Sequence, residues 1–508
     1  MRFTKSLWLA AISAALFGLT GSLPANATKR PRYGSTLRVE LSVTSISLDP
    51  RTWRPGSIAA AANEKLATLI YERLITLDDY GRFQPALAVE WSHDASSRTW
   101  QFKLRPGVKF SDGELLTPKE VVAALQQLLP AGLQIAATDS GVQIRAAHPA
   151  PDLLEQLASG RYLVFRVLPD ASLAGTGPFV LEGALPAQQE ATPLKPVRLK
   201  FRARDDAWSG RPFVDSIDVT LGDLPLRQVL DLQVGRADII DIPPDLVRKA
   251  RQDNLRVWSS PPETLLALRL DDSQPAAANA QFREALDMAL DRDTMANVLL
   301  QRQALPADAL LPQWLSGYAF LFGNPMNLDR AKTIQATLRA STPGAEPVRL
   351  RVDAVSDLMK LLGERVAVNA RQANIGIQIV PHTATSTANT ASPAIGLHLF
   401  AWHYSSLSPR VELQELAQHL HSESGSEAES VEEPANPEKL YAQERRLLDG
   451  RQILPLLLLP EYVGIAPNVR NWSAEPSGSW RLADVWIELA ASSPDAASDG
   501  NSAPGARP

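Results

Sequence analysis

Cysteine is missing from all 508 residues. That absence excludes thiol nucleophiles, thiolate metal sites, disulfides and an acylated amino-terminal cysteine as a lipid anchor. Cross-links are not needed at this length, because the chain can form two or three domains with real cores. A dominant sign of charge is lacking too. The 51 basic and 56 acidic residues leave a formal net charge of -5, too little to steer the protein to nucleic acid or an anionic membrane surface. The longest apolar stretch, residues 7–19, falls short of the ~20 residues that span a bilayer. Catalytic signatures are absent as well. Neither Gly-x-x-x-x-Gly-Lys, His-Glu-x-x-His nor Gly-x-Ser-x-Gly occurs. Gly175-x-Gly177 is followed by Pro178, not by the third glycine and helix of a dinucleotide loop. No catalytic residue and no cofactor is therefore expected.

What is present starts at the amino terminus. Arg2 and Lys5 precede the apolar run, and Gly21, Pro24 and Ala25-Asn26-Ala27 follow it. Basic, apolar and small-residue regions in this order predict a signal peptide over residues 1–27 and an exported mature chain that does not span the membrane. Residues 36–43 predict a strand and 63–74 a helix. Thr99-Trp100-Gln101-Phe102-Lys103-Leu104 alternates as a half-buried strand does. Pro106-Gly107 turns the chain, Val108-Lys109-Phe110 predicts a second short strand, and Ser111-Asp112-Gly113 turns it again. Thr117 as N-cap, Pro118 in the first turn and Glu120 at the capping-box position predict a helix start. Strands are expected at 142–146, 179–182, 197–201, 217–221, 237–242 and 264–270, with a helix over 226–234 stopped by Gly235.

From residue 282 onward, helical spacing over 282–300, 328–339, 358–374 and 441–448 alternates with strands at 348–352, 377–380, 395–400 and 453–459. This predicts an α/β unit. The acidic, Ser- and Pro-rich stretch 423–438 predicts a solvated insert, and 490–508 a disordered tail.

One long ordered string carries a resemblance. Ile70-Tyr71-Glu72-Arg73-Leu74 leads to Pro85-Ala86-Leu87-Ala88, then Glu90-Trp91, then Thr99-Trp100-x-Phe102-x-Leu104-Arg105-x-Gly107-Val108-Lys109-Phe110-x-Asp112-Gly113 and Leu116-Thr117. Ser47-Leu48-Asp49-Pro50, Gly175-Thr176-Gly177-Pro178-Phe179, Gly235-Arg236-Ala237-Asp238-Ile239 and Ala289-Leu290-Asp291-Arg292 extend it. The string resembles the bacterial extracellular solute-binding proteins of family 5, which include peptide- and nickel-binding components of ABC importers. The resemblance implies an α/β, two-lobed periplasmic-binding-protein fold of type II-like architecture. Its first lobe is discontinuous, residues 33–263 plus 454–489. Residues 264–453 form the second lobe, and two strand crossings near Thr264 and Leu454 form the hinge. It further implies a monomer in the periplasm that captures a small-molecule or peptide ligand between the lobes. The partner is an inner-membrane ABC permease. A degenerate member serving as a periplasmic sensor or interaction subunit is the alternative. A secreted hydrolase lacks any motif.

Two departures from the family pattern stand out. The stretch 121–175 is short, so a small subdomain is expected to be reduced. Peptide binders also carry an aspartate beside a tryptophan of the second lobe, facing the ligand's ammonium. The matching stretch here, Ala401-Trp402-His403-Tyr404-Ser405-Ser406-Leu407-Ser408-Pro409, has no carboxylate. Trp402, His403 and Tyr404 are expected to line the ligand, with aromatic area and polar tips; core packing is the competing account. Ser45 and Ser47 lie in a loop that is near ligand in related proteins, or form a plain turn. Arg410 has the fork to meet a ligand carboxylate, or lies on the surface. No metal site is expected: His419 and His421 do not share a helix face.

Overall fold

The computed structural model describes residues 30–183, 195–323, 326–342, 344, 346–353, 356–382, 394–422, 436–476 and 478–488. The expected signal peptide, residues 423–435 of the acidic insert and the tail lie outside the described residues.

A mixed sheet of eleven strands organises the chain. Its order is Phe179–Glu182, Val197–Ala203, Ser216–Leu221, Thr36–Leu41, Ile239–Asp241, Ile453–Ile465, Arg256–Leu270, Leu397–His403, Val348–Asp353 and Ile377–His382, with Leu305–Pro306 added beside Ile453–Ile465. Thr36–Leu41 runs parallel to both of its neighbours, and so does Val348–Asp353. Parallel pairs need long crossovers, which accounts for the helices between these strands.

Arg256–Leu270 and Ile453–Ile465 lie side by side, antiparallel, at the middle of the sheet. They are also where the core divides. One buried cluster draws on residues 37–250 and 462–487, and two others draw on residues 265–459. The pairing shifts register between Ser259 and Pro262 and again between Pro262 and Thr264, where Pro262 faces Pro460. Proline has no N–H to give to the ladder, so the two long strands are weakly tied at the place where one body gives way to the other. Both strands exceed their expected lengths, because Pro261, Pro262 and Pro460 interrupt the apolar pattern without ending the strand.

The signature region follows its alternation closely. Trp100, Phe102 and Leu104 are buried while Gln101 and Lys103 are exposed. Thr117 Oγ1 accepts from the Glu120 amide at 3.4 Å, capping the helix Pro118–Leu125. Within residues 121–175, where a reduced subdomain is expected, Leu133–Ala137 and Gly141–Ala146 complete a four-stranded antiparallel sheet with Ala88–His93 and Thr99–Leu104, ordered Ala88–His93, Thr99–Leu104, Gly141–Ala146 and Leu133–Ala137.

Three expectations are corrected. The helix expected over 63–74 is Ile58–Ala67. Residues 69 and 70 instead give their carbonyls to Phe179 (2.9 Å) and Gly177 (2.7 Å). The helix expected over 282–300 stops at Ala289. Leu290 is extended there, and Asp291 accepts from the Thr294 amide at 2.9 Å to start a new short turn. Val108-Lys109-Phe110 forms a tight loop with a single bridge between Lys109 and Leu115, not a strand.

The Gly-Thr-Gly-Pro segment lies against the backbone of Ile70. A Cβ at Gly175 would stand 2.0 Å from the Ile70 carbonyl oxygen, and no side-chain motion relieves that clash. Gly175→Ala is expected to cost about 2–3 kcal/mol, read as a lower urea midpoint with an unchanged far-ultraviolet circular dichroism spectrum.

Candidate functional site

The two bodies meet where the helix Ile58–Ala67 of the first abuts the end of the strand Leu397–His403 of the second. The His403 amide donates to the Gly56 carbonyl at 2.8 Å. The Trp402 ring covers Gly56 so closely that a Cβ there would be 2.1 Å from the ring, and Gly56 has a φ of +73°. Only glycine serves both demands. Trp402 is 2% exposed, and its indole N–H donates to Glu412 Oε2 at 3.2 Å. The other oxygen of Glu412 accepts from the amides of Ser405 (2.8 Å) and Ser406 (2.5 Å). The carboxylate missing from residues 401–409 is thus supplied by Glu412, on the helix Pro409–Ser422, but it is spent on the loop's own backbone. Burial pushes it up to about 7.

The remaining expected site residues are placed as follows. His403 is buried, and burial together with the nearby Lys65 charge pushes it down to about 3, so it is neutral at physiological pH. The Tyr404 hydroxyl donates to the Leu310 carbonyl, and its amide donates to the Glu263 carbonyl at 2.9 Å. Ser47 receives the Trp53 indole N–H on its carbonyl (2.9 Å) and donates its amide to Asn63 Oδ1 (2.9 Å). Ser45, four residues beyond the first strand, is exposed. Arg410 is neither on the open surface nor free for a ligand carboxylate. It pairs with Asp152 at 3.0 Å, and the two side chains are 17% and 8% exposed. Trp402 and His403 therefore meet Gly56, while Tyr404 is held by Glu263 and Leu310, Arg410 by Asp152, and Ser47 by Trp53 and Asn63.

Sequence reasoning passed over most of the charged groups in this contact layer. Asp152 also accepts from the Ser408 hydroxyl, and Arg161 meets Glu415 at 2.6 Å. Both ion pairs join residues 152–161 to residues 408–415, across the division between the cores. Glu64 packs its side chain on Gly160. Lys65 pairs with Glu461; burial works to lower it, but Glu461, Asp241 and Glu263 outweigh burial and hold it up. Burial pushes Asp241 up to about 6. It pushes Glu64 up to about 8, and Glu263, next to Glu461, also to about 8. The available signal was Asn63-Glu64-Lys65, three polar residues that stand in succession on an alanine-rich helix. No cluster of three or more metal-ligating side chains occurs among the described residues, and no described helix is long and apolar enough to cross a membrane.

The raised carboxyls have a signed consequence. Glu64 and Glu263 have folded values near 8 against ordinary values of 4.5, so the folded protein binds more protons than the unfolded chain between those limits. Their contribution to stability is fully present below about pH 4.5 and is lost as pH rises through about 8. Glu263→Gln keeps a neutral group at all pH. Relative to the unaltered protein it is expected to gain stability from pH 5 to pH 8, by up to about 1.4 kcal/mol per pH unit, measured by denaturant titration at each pH. A stability difference that does not change with pH contradicts this.

Comparison with known proteins bears on the fold and the family. Residues 82–420 match the family described as "Bacterial extracellular solute-binding proteins, family 5 Middle". The nickel-binding protein NikA of Staphylococcus aureus is 23% identical over 398 residues, covering 75% of this chain and 74% of that protein. Among solved structures, Haemophilus influenzae OppA in complex with RPPGFSPFR shares the fold with a TM-score of 0.75 at 16% identity, over 91% of this chain and 100% of that one. Brucella suis NikA in complex with Fe(III)-EDTA has a TM-score of 0.72 at 19% identity, over 89% and 100%. The fold is the two-lobed periplasmic-binding-protein fold. The matched family spans more than half of the sequence, so the chain belongs to family 5 of the bacterial extracellular solute-binding proteins.

Proposed function

We propose that this solute-binding protein is the periplasmic receptor of an ABC importer. It captures an oligopeptide-like or other small polar ligand by closing its lobes and delivers it to an inner-membrane permease, without acting as an enzyme. On this reading the lobes are residues 33–263 with 454–489, and residues 264–453, and the hinge lies at the proline-interrupted crossing of the two long strands. The protein works as a monomer. The related proteins whose names and structures involve nickel or a peptide support a small polar solute.

The observation that carries the reading is the make-up of the layer between the lobes. Each lobe has its own apolar core, yet they face each other through Asp152–Arg410, Arg161–Glu415 and the groups around Lys65. Apolar cores that part would expose greasy surface to water, whereas ionic faces can be rehydrated when they separate. An ionic contact layer therefore suits lobes that open and close.

A second reading, a sensor or interaction subunit, is favoured by one feature. The Trp402 wall is sealed by the Gly56 backbone, which takes space that a ligand would use. A thermal-shift panel separates the two. It contains di- to pentapeptides, amino-acetylated peptides, nickel with and without histidine, and oligosaccharides. The receptor reading expects one solute class to raise the melting temperature with the logarithm of its concentration. Silence across the panel would favour the sensor. In a companion measurement, the double variant Asp152→Asn, Arg161→Gln loses both ion pairs and is expected to show a larger radius of gyration in solution scattering than the unaltered protein.

A further inference from the structure

The helix Ile58–Ala67 buries Glu64 and Lys65 in the interlobe layer. Lys65 lies 5.0 Å from the centre of the Trp480 ring and is paired with Glu461. Glu263 and Asp241 act on the same ammonium, and Glu64 acts on Glu263. Four carboxyls thus gather around one cation. His403 beside them is neutral. Arg161 and Arg73, which also act on Glu64, are engaged by Glu415 and Glu475. Glu412, which also faces Glu64, adds another acid. Carboxyls in this excess are costly to bury as anions, so they hold protons or take up a further cation.

An observation independent of charge points to the same place. Glu64 Oε1, Glu263 Oε2 and Glu461 Oε2 are buried without a hydrogen-bond partner among the described residues, and so are Ser479 Oγ and Trp480 Nε1. Glu64, Glu263, Ser479 and Trp480 are each 3–4% exposed. Their loop and Glu263 are adjacent: a Cβ at Gly478 would lie 3.2 Å from Glu263 Oε2. Folded proteins pair nearly all such atoms. Here Glu263 lies against the loop that carries Ser479 and Trp480, and Lys65, next to Glu64 in the chain, joins Glu461 to the Trp480 face, which already attracts a cation.

Taking the interlobe layer as the solute site, we propose that Glu64, Glu263 and Glu461, together with Trp480, bind the ammonium group of a small organic cation at a position displaced from the sealed Trp402 wall. The cation takes the place of protons that the buried carboxyls otherwise hold. Each carboxyl that ionises on binding releases one proton to solvent, so charge is conserved. The ligand's second polar group meets the Trp480 N–H or the Ser479 hydroxyl.

Isothermal titration calorimetry tests this, with 1-aminobutane, 4-amino-1-butanol and 4-aminobutanamide as cation probes, the last two bearing an oxygen that can accept from the indole N–H, 1,4-butanediol as the uncharged match and succinate as the anion. At least one cation is expected to bind while the diol and succinate do not. Its heat at pH 7 should change with the ionisation enthalpy of the buffer, as released protons require. Glu64→Gln and Glu263→Gln, each checked for folding by circular dichroism, should weaken it roughly tenfold to a hundredfold. Trp480→Phe keeps an aromatic face without the N–H and carries the test if either glutamine variant fails to fold; it should weaken the cations that bear a hydroxyl or amide oxygen more than 1-aminobutane. Absence of cation binding, or cation binding unchanged in the variants, overturns the proposal. A neutral peptide, sugar or nickel complex that binds while every cation fails would overturn it and leave the receptor function standing. Failure of every solute class would remove both.

Discussion

The pairing of Arg256–Leu270 with Ile453–Ile465 is the constraint on which the rest of the structure depends. These two strands enter both lobes, and the sheet passes through them without a break. On one side they complete the layer built on Thr36–Leu41 and Ile239–Asp241; on the other they support Leu397–His403 and its parallel partners. A ladder shared in this way fixes which faces of the lobes oppose each other. It is interrupted where Pro262 faces Pro460 and the register slips twice, and it slips once more between Leu266 and Ala267, inside the second body. On the proposed receptor reading the crossing at Pro262 and Pro460 is the place where bending would move the lobes, as hinge closure about a few residues does.

That arrangement brings Ile58–Ala67 onto Leu397–His403, and the chemistry at the junction is polar. Its carboxyls, Lys65 and the guanidinium groups are taken out of water together, so each group's state depends on its neighbours. Burial makes Glu64 and Glu263 hold protons, while Glu461, paired with Lys65, and Asp241 keep Lys65 charged. A neutral His403 beside them adds no positive charge. The junction is consequently held by a small number of directional contacts, Asp152–Arg410 and Arg161–Glu415 foremost. Such contacts are weak in net terms compared with apolar burial, because desolvation offsets their attraction. On the proposed receptor reading, a modest free-energy difference from a bound solute would suffice to shift the balance between open and closed lobes.

Legibility in the sequence tracked how local the physics was. The alternation of Trp100, Phe102 and Leu104 and the cap at Thr117-Pro118 depend only on neighbouring residues, and they stand where the pattern put them. The family string fixed the topology as well, since its turns and glycines answer to backbone contacts such as that of Gly175 with Ile70. The interlobe layer was not legible. Glu64 and Lys65 have the look of a solvated helix face, and only contact with strands 390 or more residues away in the case of Glu461 buries them. Arg410 finds Asp152 across 258 positions. Trp402 was recognisable as an aromatic at a special place, but its cover, Gly56, belongs to the other lobe. The break at Leu290 was hidden because Asp291 serves equally well inside a helix pattern or as a cap.

The most direct test of the central claim is an electron–electron distance measurement between spin labels on the two lobes. The chain has no native cysteine, so Arg198→Cys on an exposed strand position and Lys332→Cys on an exposed helix position take single labels. The solute that raises the melting temperature is then added to saturation. The account predicts that a longer-distance population seen in the free protein is lost and the distribution collapses to its shorter limit. A distribution that saturating solute leaves unchanged would contradict capture by lobe closure.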